Sequence, residues 1–210
     1  MRNVRTPRGV ARLAVERSPV QTNGTALLFH GAGGDMNAAV LLAVRDALLA
    51  GGWDVARLDQ PYRVAGRRAP DPAHHLDAVA LQVARTLKGP LLLGGKSSGA
   101  RVACRIAREA GAVGVVALGF PLHPPGKPEK SRAPELLGAG VPVLVLQGSR
   151  DTFGTAEDLR AIHDEVHEVT GGDHSFVARR ADGRTTADCL AEVARVAGEW
   201  AARLAGQAST

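Results

Sequence analysis

Short apolar runs alternate with Ala- and Leu-rich stretches along most of this chain, and that rhythm constrains the fold more than any other feature. Residues 25–29, TALLF, make a nearly continuous apolar run, the pattern of a strand covered on both faces. Residues 36–50 follow with helical spacing and close at Gly51-Gly52. A strand is expected over 53–58 and a helix over 77–87, with Val79, Ala80, Val83, Ala84 and Leu87 on one face. Strand 90–93, helix 98–110 and strands 113–118 and 141–146 continue the pattern. Helix 157–164, a short strand 167–169 and a final helix over 186–204 complete it, the last aligning Leu190, Val193, Ala197, Trp200 and Leu204. Near the start, Ala11, Leu13 and Val15 alternate with Arg12, Ala14 and Glu16, which suits a half-exposed edge strand ended by Ser18-Pro19. Such alternation predicts a three-layer α/β/α sandwich around a mostly parallel, twisted sheet. The 210 residues carry no repeat or linker, so one domain over 1–210 is expected. Ligands bind such sheets beyond the carboxyl ends of the strands, so the informative residues lie where a strand stops.

The stretch PLLLGGKSSGAR, residues 90–101, is one such place, and it admits two readings. A phosphate-binding loop, G-x4-G-K-[ST], would need glycine at position 90, where Pro90 stands. Its open donor loop would also have to pass through Leu91, Leu92 and Leu93, which read as strand, and Asp59 is only a weak magnesium partner. The second reading is G-x-S-x-G: a strand runs into a sharp turn, a serine sits at its apex, and a helix starts at once. Gly95 and Gly99 stand two before and two after Ser97, where a strained turn leaves no room for a β-carbon. Ser98 cannot be the centre, since Lys96 and Ala100 would flank it. The second reading is the better supported.

A serine presented in this way needs an acid and then a histidine, in that chain order. Asp151 follows strand 141–146 within QGSRD, and His174 follows strand 167–169 within TGGDH. A lone loop Asp is usually a turn or cap residue, and a lone loop His a surface one. Three candidates in the right order, each at a strand end, argue against coincidence. The glycine-rich stretch HGAGG, after strand 25–29, suits a backbone donor for an oxyanion, and the amides of Ala32 and Ser98 are the candidates. His30 reads as a structural tie for that loop.

The stretches FHGAGGDMN, GGKSSGARVA, FPLHPPGKPEK, VLVLQGSRDTFG and GGDHSF span residues 29–176. As a set they resemble the small, capless α/β-hydrolases of the dienelactone-hydrolase-like kind. The resemblance is closest to the testis-expressed and NSL-complex-subunit-type hydrolase-like group. It implies an α/β-hydrolase fold without a cap domain and hydrolysis of an ester or thioester through an acyl-enzyme. Ser97 would be the nucleophile, His174 the base and Asp151 its partner. Dienelactone hydrolases proper carry cysteine at the turn, whereas this chain has Ser97, so their substrate does not carry over. Some members of the group act mainly as interaction modules, so the rival expectation is a hydrolase-like protein-interaction module with little or no catalysis.

Residues 119–140 are too short for a cap and are stiffened by Pro121, Pro124, Pro125, Pro128 and Pro134, without regular structure. His123, Lys127 and Lys130 make the stretch basic; it is either a plain connector or a wall, with His123 and Lys127 facing an acidic or polar acyl group. Lys96 is expected exposed or on backbone, His163 and His167 on the surface, and Asp173 in a turn. The net charge of +5 is spread over dispersed arginines and aromatics are only 3%, so nucleic acid is not an expected partner. Cys104 and Cys189 fall in helix interiors and read as reduced thiols; the basic N-terminus has no apolar core. No apolar run reaches the roughly 18–20 residues of a membrane span, so a cytoplasmic protein with a small-molecule acyl substrate is expected. His74-His75 lack a carboxylate or cysteine set, so neither metal nor other cofactor is expected.

Overall fold

Every residue of the strand Gly24–Phe29 is buried, because helices cover both faces of the sheet it centres. The computed structural model describes residues 1–207; residues 208–210 of the expected domain lie outside them. Eight strands form one sheet: β1 (Arg2–Thr6), β2 (Gly9–Glu16), β3 (Gly24–Phe29), β4 (Trp53–Asp59), β5 (Leu91–Lys96), β6 (Ala112–Leu118), β7 (Val143–Gly148) and β8 (Val166–Val169). Their order is β1-β2-β4-β3-β5-β6-β7-β8; β2 pairs antiparallel with both β1 and β4, and all the other pairs are parallel.

The helices are α1 (Ala39–Ala50), α2 (Pro61–Val64), α3 (Ala73–Ala84), α4 (Ser98–Ile106), α5 (Ala133–Leu137), α6 (Ala156–Arg160) and α7 (Thr186–Gln207). Alternate residues of each parallel strand point to opposite faces. Leu91 and Leu93 therefore meet α3 and α4 through Val79, Val83 and Val102. Leu92 points the other way, into a core built by Leu41 and Val44 of α1 and Val193 and Trp200 of α7. The result is a three-layer α/β/α sandwich with no cap domain: between β6 and β7 the chain inserts only α5.

Several sequence expectations need correction. The strand around Ala11 and Leu13 is not an edge, because β1 pairs outside it; Val15 faces solvent while Ala14 is buried. RNVRT carries no period that marks a strand, and β1 exists only because β2 offers it a partner. The strand before Ser97 runs on through Gly94, Gly95 and Lys96 rather than stopping at 93. The helix expected over 77–87 starts four residues earlier, at Ala73 just after Pro72, whose fixed φ favours a helix start. Within the proline-rich connection, Pro134 opens the short α5, so that stretch is not wholly irregular.

Candidate active site

Ser97 sits at φ +54°, ψ −114°, left-handed backbone that L-residues avoid, between the end of β5 and the start of α4. Such a conformation costs on the order of 1–3 kcal/mol and persists only where the surroundings enforce it. Here the two flanking glycines enforce it. A Cβ on Gly95 would lie 2.5 Å from the Gly99 carbonyl carbon, and one on Gly99 would lie 2.4 Å from the Phe29 carbonyl oxygen. Only glycine lets α4 start so close to β3 and β5. The Ser97 amide donates to the Leu118 carbonyl at 2.9 Å and pins the turn to β6.

Loops after β7 and β8 bring the acid and the histidine to this turn. His174 Nε2 lies 2.9 Å from Ser97 Oγ, and His174 Nδ1 lies 2.7 Å from Asp151 Oδ2. With Nδ1–H donating to the carboxylate, Nε2 is free to accept from the serine hydroxyl. The Asp151 carboxylate is buried, and its Oδ1 accepts from the Phe153 amide at 2.8 Å. The other nearby carboxylates are engaged elsewhere. Asp158 caps α6 through Thr155, and Asp173 Oδ1 accepts from the Ser175 and Val177 amides. Asp173 is thus the turn residue expected.

Ser98 is the first residue of α4, so its N–H is one of the end donors that a helix cannot satisfy internally. The loop after β3 abuts the turn from the other side: a Cβ on Gly31 would lie 3.4 Å from Ser97 Cβ, with exposed Ala32 next in the chain. His30 ties that loop as expected. The Gln60 amide donates to its Nε2 at 3.3 Å, so Nδ1–H donates to the Gly31 carbonyl at 2.9 Å. This needs the neutral imidazole, and burial lowers its pKa accordingly.

Other expectations divide. The His123 amide donates to the Phe153 carbonyl at 3.0 Å, which sets His123 beside the acid loop. Lys127 is exposed and its amide makes a local turn with the Pro124 carbonyl, so nothing brings its side chain to Ser97. Lys96 is half-buried rather than exposed; burial lowers its pKa, against the pull of Asp151 and Asp173. His163 and His167 are half-buried as well, bonded to the Val143 carbonyl and to Glu192. Cys104 and Cys189 are buried free thiols.

Two residues near the reactive group escape sequence reading. The Phe153 ring lies 4.2 Å, centroid to centroid, from the His174 imidazole. Gln147 Nε2 lies 2.8 Å from Asp151 Oδ2. The available signals were an aromatic two residues after the acid and a polar residue ending an otherwise apolar strand. Among the described residues, no three His, Cys, Asp or Glu are arranged to hold a metal ion, and no helix is long and apolar enough to cross a membrane. A cleft of about 620 Å³ involving Arg2, Arg17, Asp54 and Lys88 opens at the opposite, amino end of the central strands, away from Ser97.

The profile of the Alpha/beta hydrolase domain family matches residues 22–202, and the chain belongs to that family. It is similar to an alpha-beta serine hydrolase homologue from Coxiella burnetii, with 18% identity and a TM-score of 0.70 over 92% of this chain and 94% of that one. XC6422 from Xanthomonas campestris, described as a serine hydrolase without lid, is 20% identical, with a TM-score of 0.65 over 94% and 93% of the two chains. Est1E from Butyrivibrio proteoclasticus, solved with ferulic acid, is 14% identical, with a TM-score of 0.72 over 93% and 95%. At these identities the likeness is one of fold.

Proposed function

We propose that this chain is a serine hydrolase that cleaves a carboxylic ester or thioester of a small molecule through an acyl-enzyme. The observation that carries the reading is the Asp151–His174–Ser97 relay ending on a serine at positive φ. Ser97 Oγ attacks the substrate carbonyl while His174 Nε2 takes its proton. Asp151 holds the imidazole in the required tautomer and stabilises its cation. The Ser98 and Ala32 amides stabilise the oxyanion. The tetrahedral intermediate then expels the leaving alcohol or thiol, which takes the proton from Nε2. Water next attacks the acyl-Ser97 ester and gives a proton to His174; as the second tetrahedral intermediate collapses, Ser97 Oγ takes that proton from Nε2 and the acid is released. These steps call for no cofactor.

Within the family, the five sequence stretches speak for the dienelactone-hydrolase-like and testis-expressed or NSL-complex-subunit-type groups as nearest kin. His123 is the better substrate contact, since its backbone meets Phe153; Lys127 acts at longer range through charge alone. The two free thiols suit a reducing compartment, which supports a cytoplasmic protein acting as one domain.

A fluorophosphonate probe and a panel of acyl-chain lengths test the reading. Ser97→Ala is expected to lose labelling and about 10⁶-fold in turnover, the scale for a lost catalytic serine. Ser98→Ala is expected to keep most activity, because only its backbone is used. A wild-type protein that neither labels nor hydrolyses any ester would instead leave the interaction-module reading standing.

A further inference from the structure

Gln147 is the last residue but one of β7, four residues before Asp151, and its side chain is completely buried. Its Nε2 lies 2.8 Å from Asp151 Oδ2, 2.8 Å from the Gly154 carbonyl and 3.3 Å from the Phe120 carbonyl. All three neighbours are pure acceptors, so the amide orientation is dictated by chemistry: the opposite flip would press its oxygen against a carboxylate and two carbonyls. The Gln147 Oε1 has no hydrogen-bond partner among the described residues, so what the amide does for its surroundings goes through its nitrogen. Two N–H groups serve three acceptors, and the two 2.8 Å contacts take the better share.

One amide thus touches three parts of the site. Phe120 is the second residue of the connection after β6, Gly154 closes the turn that carries Phe153, and Asp151 Oδ2 is the same oxygen that faces His174 Nδ1. We infer that Gln147 is a positioning residue: it fixes the Asp151 carboxylate so that Oδ2 meets the imidazole, and locks the turns on either side of it. Asp151 Oδ1 is already held by the Phe153 amide, so Gln147 supplies the second anchor that stops the carboxylate from rotating. This inference rests on the proposed serine-hydrolase reading for its consequence in rate, but its geometry stands apart from any reaction.

The donated hydrogen bond also withdraws negative potential from the oxygen that the imidazole sees. The other charged groups facing the pair are Lys96, at the end of β5, and Asp173, beside His174 in the chain; both act on it through space and neither is altered by the test.

The test compares wild type, Gln147→Met and Gln147→Glu, each checked for a wild-type-like circular dichroism spectrum and cooperative melting. Met keeps length and volume without a donor. Glu keeps the shape, donates one hydrogen when protonated, and repels Asp151 when ionised. The first readout needs no turnover: the low-field NMR proton of the His174 imidazole and its titration with pH. In Gln147→Met the resonance is expected to shift, because the carboxylate that faces it is no longer held in place. The second readout is kcat/KM against pH. Gln147→Met is expected to lose about 10- to 100-fold, the scale for orienting partners, well short of the ~10⁴ for the acid itself. Gln147→Glu is expected to add a loss of rate as pH rises through the ionisation of the new carboxyl group. A folded Gln147→Met protein with an unmoved imidazole proton and titration overturns the inference, whatever the enzyme does. A proton shifted in Gln147→Met, alongside a wild-type protein that hydrolyses nothing, sustains the positioning and sinks the hydrolase reading instead.

Discussion

At the scale of single residues, the Asp151 carboxylate shows how much of the site depends on one group. It receives the His174 imidazole, the Phe153 amide and the Gln147 amide, and its side chain is fully buried. Asp151→Asn keeps the shape but replaces an oxygen by an N–H donor, which faces other donors. It is expected to favour the wrong imidazole tautomer and cost on the order of 10⁴ in kcat. Stopped-flow acylation with an activated ester checks this, and near-normal acylation would break the assignment of the acid. Asp158 and Asp173 offer no substitute, since each is spent on its own turn.

At the scale of elements, a small ionic cluster fastens the capless connection to the helix that carries the elbow. Arg101 and Arg105 of α4 both bond Glu135 of α5, and Arg105 also pairs with Asp77 of α3 at 2.7 Å. The side chains are about a fifth exposed: 24% for Arg101, 18% for Arg105, 22% for Glu135 and 20% for Asp77. Burial alone would raise the Glu135 pKa; its bonds to the two guanidinium groups outweigh that and lower it. Its stabilising share is therefore present above about pH 4.5, the unfolded carboxyl range, and is lost as pH falls through the lower folded value. Glu135→Gln leaves two partly buried cations short of an anion. It is expected to cost about 1–3 kcal/mol, less than the 3–5 of a fully buried pair. Urea denaturation at pH 7 measures the loss. The gap between variant and wild type should close in acid; a gap that stayed constant to pH 3 would show that charge is not the cause.

At the scale of the whole molecule, His30 makes stability depend on pH in the neutral range. The folded protein holds it neutral, whereas the unfolded chain protonates it near the ordinary value of 6.5. Below that value the unfolded state binds the extra proton. Stability is therefore full above about pH 6.5 and falls as pH drops toward the lower folded value, by at most about 1.4 kcal/mol per pH unit for one proton. Urea midpoints at intervals between pH 8 and pH 5 are expected to show this slope, and His30→Gln to flatten it. An unchanged slope in the variant would assign the dependence to other groups. Because His30 ties the loop that carries Ala32 against Gln60, the same acid range is expected to loosen that loop.

The parallel strands and the elbow were legible in the sequence because each rests on local rules. A strand covered on both faces reads as a short apolar run, and a nucleophile turn needs Gly95 and Gly99 at fixed offsets. Asp151 and His174 were legible for a related reason, since each follows a strand whose carboxyl end is bound to face the elbow. What the sequence could not convey depends on neighbours far along the chain. β1 becomes a strand only by pairing with β2, and α5 gains its anchor from arginines about thirty residues earlier. Lys96 looked exposed from the turn alone, but it is half-buried beside the loops that carry Asp151 and Asp173. Gln147 stood just past the strand expected over 141–146, with no role read for it, and gained its meaning only when three acceptors converged on one nitrogen. The sequence by itself determined which segments alternate and where the candidate site residues stand in the chain, because periodicity and turn chemistry act over a few residues. Only the tertiary structure decided which polar groups share a hydrogen bond, because that depends on distances between loops that no local pattern encodes.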